Sequence, residues 1–151
     1  MKTLQVKNGD IVLDSGGRLS FVVGSSKLVQ DLSLWLREEY GVGYTTPNFG
    51  SLLPGMIGQS LTATMTAQVY SEVSRIIELY RIYQSQQLQL SQNASSLSNW
   101  NKSEIIQSIK DILIQPGTGF IQVLITLTTL NSNTTQLNLV LTPNGIQVQN
   151  G

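Results

Sequence analysis

The C-terminal stretch 112–151 constrains the fold most, because it contains no charged residue in a chain that has nine Lys and Arg and nine Asp and Glu. Its β-prone segments are separated by the turn-forming sequences NSNTT (131–135) and PNG (143–145). The segment QLNLVLT places a leucine at every second position, as a strand with one buried face does. These leucines are Leu137, Leu139 and Leu141. The pattern predicts a β-meander over the C-terminal third.

The absence of charge has two interpretations. Sheet edges that stay unpaired usually carry Lys or Pro, and the strands predicted within 119–142 carry neither. The nearest charged residues are Lys110 and Asp111. These strands could therefore offer an edge to a partner protein, or they could form a central sheet that is buried within this chain.

The N-terminal third also has the pattern of short antiparallel strands. The segments TLQVK (3–7) and DIVLD (10–14) flank Asn8-Gly9, a strong signal for a two-residue hairpin. Ser15-Gly16-Gly17 predicts a second turn before the β-prone segment RLSFVVG.

A first helix is predicted for SKLVQDLSLWLREEY, with Ser25 and Ser26 as its candidate caps. Its apolar face carries Leu28, Leu32, Trp35 and Leu36 at helical spacing. Gly41 is the candidate stop, and residues 41–59 form a long loop rich in Gly and Pro. Loops of this length are usually functional or partly disordered.

A second, long helix is predicted from Ser60 to about Leu88. Its apolar stripe consists of Val69, Val73, Ile76, Ile77 and Tyr80, with Tyr83 as a further candidate. Residues 91–101 are a polar connector, and SEIIQSIKDIL (103–113) predicts a short helix capped by Ser103.

The strands are segregated from the helices, which favours an α+β fold over an alternating α/β fold. We predict a single domain over residues 1–151. Its mostly antiparallel sheet, built from the N- and C-terminal strands, packs against the long helix and two shorter helices.

Composition excludes several kinds of catalytic site. The chain has no Cys and no His, which rules out thiol nucleophiles, thiolate metal sites and histidine-based triads. Asp10 and Asp14 could converge across a turn, but nine acidic residues in any fold offer some such pair. No glycine-rich phosphate-binding motif is present. We expect no catalytic residue, no cofactor and no metal.

The charge balance bears on partners and location. Charged residues make up 12% of the chain and its net charge is zero, a combination that favours association between proteins. The absence of Lys/Arg clusters argues against nucleic-acid binding. No apolar run approaches the roughly 20 residues that span a bilayer, and MKTLQVKNGD lacks the apolar core of a signal peptide. We expect a soluble protein made in a cytoplasm.

The loop YTTPNFGSL (44–52) and the helix before it carry a resemblance. The matching residues are Gln30, Leu32 and Leu36 in the helix, and Pro47, Phe49, Gly50, Ser51 and Leu52 in the loop. In this order they resemble the baseplate wedge, or sheath-initiator, family of contractile phage tails and of related machines such as type VI secretion. That family has a turn-rich N-terminus, a helix with a central glutamine, an aromatic-Gly-Ser-x-Leu loop, a long helix, a short helix and closing strands.

The chain departs from the family at one motif. The family commonly has Glu-Pro-Arg between the short helix and the following strand, where it docks on the wedge core. The matching residues here are Gln115, Pro116 and Gly117, so the proline is kept and both charges are absent. A charge-assisted contact cannot form with these residues, so the resemblance implies a different docking chemistry.

The resemblance implies a structural protein of the virion tail baseplate. Such a protein connects the wedge to the first sheath ring, and a sheath arm adds to its sheet as a strand. The implied partners are the tail sheath protein and other wedge proteins, with tube or hub proteins as further candidates. The partner-binding residues that this suggests are Pro47, Phe49, Gly50, Gln115, Pro116, Leu137, Leu139 and Leu141.

Two alternatives remain open from the sequence. The first is a tail-associated cell-wall hydrolase, since members of the family are sometimes labelled lysozyme-like. The second is an adaptor in the baseplate of a non-contractile tail, where no sheath is met.

Overall fold

The structure, a computed structural model, describes residues 2–7, 9–59, 62–93 and 100–149. It begins with four two-residue strands: β1 (Thr3–Leu4), β2 (Val6–Lys7), β3 (Asp10–Ile11) and β4 (Phe21–Val22). Three helices follow: α1 (Gly24–Arg37), α2 (Leu53–Met56) and α3 (Ala63–Asn93). A 3-10 turn at Lys102–Glu104 precedes four longer strands: β5 (Ile106–Gly117), β6 (Phe120–Thr129), β7 (Thr134–Thr142) and β8 (Gly145–Gln149). The predicted α+β class is confirmed.

The four C-terminal strands form one antiparallel sheet in the order β5-β6-β7-β8. Because side chains alternate between the two faces of a sheet, the register gathers the apolar residues into rows on one face. One row is Ile112, Ile125 and Leu137, and another is Ile114, Val123, Leu139 and Val148. These rows form the sheet's half of the hydrophobic core.

Helices α1 and α3 supply the other half of this core. Leu28, Leu32 and Leu36 of α1 are fully buried, and so are Val69, Val73, Ile76 and Ile77 of α3. The 31 residues of α3 extend about 46 Å at 1.5 Å per residue. Beyond Gln84 no described side chain of α3 is buried. The last turns of the helix therefore extend past the core.

The segment predicted as a short helix, 103–113, is mostly strand, so that prediction is wrong. Only Lys102–Glu104 is helical, and β5 begins at Ile106. The strand has register shifts between Ile106 and Ser108 and between Ile109 and Asp111. Each shift changes the spacing of the inward-facing residues from two to three. The isoleucines at positions 106, 109 and 112 are therefore three residues apart, as on one face of a helix, although they belong to a strand.

The N-terminal strands form two small ladders beside the main sheet. β2 pairs with β3 and β1 pairs with β4, both antiparallel. The predicted hairpin therefore forms, although Asn8 itself lies outside the described residues. Gln30 of α1 holds the ladders in place: its Oε1 accepts a hydrogen bond from the Val6 N–H (2.9 Å), and its Nε2 donates to the Leu4 carbonyl (2.8 Å).

The helix boundaries differ from the predicted ones. Ser25 and Ser26 do not cap α1, since the helix begins at Gly24 and the capping residue Val23 makes no side-chain bond. Instead the Gly24 N–H donates to Oε1 of the distant Glu104 (2.8 Å). The long helix continues to Asn93, which includes the start of the predicted connector. Ser60 and residues 94–99 of the connector lie outside the described residues.

Candidate functional site

The two outermost strands of the main sheet differ in chemistry. β5 carries exposed Lys110, Asp111 and Pro116, and its register shifts twice against β6. Charge, proline and irregular register are the features by which proteins prevent an edge strand from pairing with another chain. The β5 edge is therefore protected.

The β8 edge has none of these features. Its sequence, GIQVQ, contains no charge and no proline, and its register with β7 is regular from Gly145 to Gln149. β8 pairs only with β7 among the described strands. Thr142 and Gly145 close the two-residue turn, and hydrogen-bonded pairs alternate along an antiparallel ladder. We therefore expect Ile146 and Val148 to direct their N–H and C=O groups away from β7.

A groove of about 1010 Å³ lies beside this edge. It is lined by β8 together with the start of β7, and by Gln5–Lys7 and Val22 of the N-terminal ladders. One face of α1 also lines it, through Ser25, Ser26, Val29, Gln30, Ser33 and Arg37. These positions recur every three or four residues, so the groove follows the helix for most of its length.

The lining of the groove suits a peptide backbone. It contains the amides of Gln5, Gln136, Gln147 and Gln149, which have hydrogen-bonding capacity left for a ligand, whereas Gln30 is already bonded to Val6 and Leu4. Val6, Val29, Ile146 and Val148 add apolar surface. An extended segment placed here would find backbone partners on β8 and side-chain partners among the other lining residues.

The loop residues chosen from the sequence pack against their own chain. The ring of Phe49 meets that of Trp35 edge-on, with centroids 4.8 Å apart, and is half-buried. Trp35 also contacts Tyr80 (5.6 Å) and Tyr83 (5.9 Å). Pro47 is exposed. The loop is thus anchored by an aromatic cluster that joins α1 to α3.

Hydrogen bonds clamp the end of this loop. Ser51 Oγ donates to the Leu36 carbonyl (2.7 Å), and the Ser51 N–H donates to the Glu38 carbonyl (2.8 Å). The Leu52 N–H donates to Oε1 of Glu72 on α3 (2.7 Å). Ser51 of the aromatic-Gly-Ser-x-Leu motif therefore has a structural role in this chain.

Gln115 and Pro116 lie at the end of β5, where they pair with Gln122 and Ile121. They do not mark a helix-to-strand break, as the sequence suggested, because the segment before them is strand. Both side chains are exposed. Their position is on the protected edge, next to the β5–β6 turn.

Leu137, Leu139 and Leu141 cannot offer their side chains to a partner, because they are at most 4% exposed in the core. The strand order places β6 and β7 inside the sheet rather than at its edge. Within 119–142, only Thr134–Leu137 of β7 extend past β8 and pair with β6 alone among the described residues. The alternative interpretation, a central sheet buried within this chain, is correct for the inward-facing side chains of β6 and β7. The sequence predicted a strand after the turn at 143–145 but did not identify it as the edge, because the residues of a short strand do not show whether it lies at the edge or in the centre of a sheet.

Two carboxylates of the helices, the half-buried Asp31 and the buried Glu72, are bound to structural partners. Asp31 Oδ2 pairs with Lys27 and accepts a hydrogen bond from the Tyr80 hydroxyl (2.9 Å). Burial, reinforced by Asp31, raises the pKa of Tyr80 above its usual range. Burial alone would raise the pKa of Glu72, but hydrogen bonds from Arg75 and from the Leu52 N–H lower it overall. These contacts join helices and loop to one another.

The described residues contain no cluster of three or more metal-ligating side chains. No helix among them is long and apolar enough to cross a membrane. Comparison of the chain with protein-family models, curated proteins and solved structures finds no match.

Proposed function

We propose that this chain is a structural protein of a phage tail baseplate, which links the wedge to the first sheath ring and starts sheath assembly by accepting a strand from a sheath subunit. The observation that carries the proposal is the contrast between the two edges of the sheet. Only β5 has the features that prevent strand addition, and the β8 edge faces a groove with room for a further strand.

Strand addition fits the chemistry of β8. In this mode of recognition main-chain hydrogen bonds supply affinity, and pockets for alternate side chains supply specificity. The exposed Gln147 and Gln149 and the half-buried Val148 give β8 alternating polar and apolar positions. The order of the helix, loop and strands, which resembles the sheath-initiator family, supports the sheath as the source of the added strand.

The test is the substitution Val148→Pro, which removes the N–H group that Val148 is expected to direct away from β7. Proline is tolerated on an edge strand where its missing N–H faces outward, so the fold is expected to persist while strand addition fails. Val148→Ala is the matched control, because it removes similar apolar packing and keeps the N–H. Baseplates assembled with each variant are imaged by negative-stain electron microscopy.

Sheathed tails are expected with the wild type and with Val148→Ala, and bare tubes on complete baseplates with Val148→Pro. Normal sheath on the proline variant would refute strand addition at β8. Circular dichroism of the purified variant establishes that it is folded. Turnover of peptidoglycan by the purified wild type, lost on changing a single carboxylate, would instead support the hydrolase alternative.

A further inference from the structure

The groove beside β8 is basic, although the chain as a whole has no net charge. Its lining residues include two cations, Lys7 and Arg37, and no carboxylate. Both side chains are exposed, and neither has an ion-pair partner in the part of the chain that the structure describes. A groove walled by protein concentrates the field of such charges.

Arg37 is the stronger of the two cations. Lys7 stands opposite Asp10 in the β2–β3 register, so an acidic residue offsets part of its charge. Asp10 does not line the groove, and its Oδ1 accepts a hydrogen bond from the Ile11 N–H (2.8 Å). Arg37 is in the last turn of α1, on the groove-lining face of the helix. Its planar guanidinium can bind a carboxylate through two parallel hydrogen bonds.

We infer that the segment accepted by this groove is extended and acidic, with at least one carboxylate placed to meet Arg37. The inference rests on the proposed strand addition and adds the chemistry of the partner. The backbone of the segment pairs with β8, and its carboxylate neutralises Arg37. An uncharged strand would leave Arg37 without a partner, and a basic strand would be repelled by it.

The test uses three fluorescein-labelled peptides of about eight residues, each alternating threonine and valine. They carry two glutamates, two glutamines or two lysines at the same positions, and binding is measured by fluorescence anisotropy at low and high salt. The glutamate peptide is expected to bind about fivefold more tightly than the glutamine peptide, because this is the gain in affinity that one charge pair at a partly exposed site provides. The lysine peptide is expected to bind most weakly, and high salt reduces these differences.

Three variants separate the charge from the edge. Arg37→Gln is expected to remove the preference for glutamate. Arg18→Gln, which makes the same change in net charge at an exposed residue outside the groove, is expected to retain it. Val148→Pro is expected to abolish binding of all three peptides.

The outcomes distinguish the two proposals. Equal binding of the glutamate and lysine peptides, or an unchanged preference in Arg37→Gln, would overturn the acidic partner and leave strand addition standing. Wild-type affinity in Val148→Pro would overturn strand addition. Failure of every peptide to bind the wild-type protein would overturn both.

Discussion

Gly50 lies where the loop passes the C-terminal end of α1, and it has a left-handed backbone with φ of +101°. A Cβ added there would stand 2.7 Å from the Glu38 carbonyl oxygen and 2.9 Å from backbone atoms of Glu39. Backbone atoms cannot rotate away as a flexible side chain can. Glycine is therefore required at this position both by the torsion angle and by the space.

Gly50→Ala is expected to lower the free energy of unfolding by about 3 kcal/mol or more, through left-handed strain and overlap together. Gly41→Ala is the matched control, because Gly41 also has a positive φ (+83°) but nothing within 4 Å of an added Cβ. Its cost should be about 1–2 kcal/mol, from strain alone. Urea denaturation measures both, and equal losses would contradict the close approach.

Glu72 shows how one buried carboxylate joins the loop to α3. It is 5% exposed, and it accepts hydrogen bonds from the Leu52 N–H and from the Arg75 guanidinium. Because these bonds hold its folded-state pKa below the ordinary value of 4.5, the folded state favours the charged carboxylate. The resulting stability is present above pH 4.5 and is lost as the pH falls through the folded-state pKa.

Glu72→Gln is expected to lower stability by about 1.5–3 kcal/mol at pH 7, the contribution of a hydrogen bond to a charged group. The difference from wild type should shrink as the pH falls below 4.5, the ordinary pKa of a glutamate carboxyl. Glu78→Gln is the control, since Glu78 and Arg81 form an exposed pair at the same spacing and contribute roughly 0.5 kcal/mol or less. A Glu72 effect independent of pH would contradict this account.

At the scale of elements, α3 and β5 are joined by a buried amide. Gln84 is 1% exposed, its Nε2 donates to the Glu104 carbonyl (2.6 Å), and its Oε1 accepts from the Ile106 N–H (3.0 Å). The Gln84 side chain thus supplies, at the start of β5, the two backbone hydrogen bonds that a neighbouring strand would otherwise supply. The Glu104 carboxylate, in turn, accepts a hydrogen bond from the first residue of α1.

Gln84→Leu is expected to lower stability by about 2–4 kcal/mol, because a buried N–H and a buried carbonyl lose their partner. Gln86→Leu, at an exposed position on the same helix, should change stability by about 0.5 kcal/mol or less. Hydrogen exchange is the second measurement, and the Ile106 amide should exchange faster in the Gln84 variant alone. Unchanged protection there would show that another group serves this amide.

At the scale of the whole molecule, the inner face of the four-stranded sheet provides half of the hydrophobic core. Deleting any of its strands would therefore remove part of the core as well as change the edge of the sheet. Leu137, Leu139 and Leu141 are buried against helices and neighbouring strands. Each such leucine contributes about 2–5 kcal/mol, and domains have only about 5–15 kcal/mol of stability in total.

Deletion of residues 134–151 is therefore expected to unfold the chain rather than to leave a folded protein that lacks only an edge. The loss should appear as a missing cooperative transition in urea and a flat near-ultraviolet circular dichroism spectrum. The Val148→Pro variant is the comparison, because it changes the same edge and is expected to keep a cooperative transition. A cooperative transition in the truncated chain would place the core elsewhere.

The sequence by itself determined the local features, namely the turns and the spacing of apolar residues within each helix or strand. The turn residues at 143–145, the alternating leucines of β7 and the helical stripes of α1 and α3 each report on a few neighbouring residues, and the predicted α+β class follows from their order. These features depend on backbone propensity and on side-chain spacing within one element, which a single sequence contains.

The tertiary structure decided how the elements meet. The register shifts of β5 become visible only beside β6, and the contact between Glu104 and α1 joins residues 80 positions apart. Whether a strand is at an edge or in the centre depends on which strands surround it, and the uncharged run 112–151 provides both β7 in the centre and β8 at the edge. The candidate site is an edge, a neighbouring ladder and a helix face brought together, so no single segment encodes it.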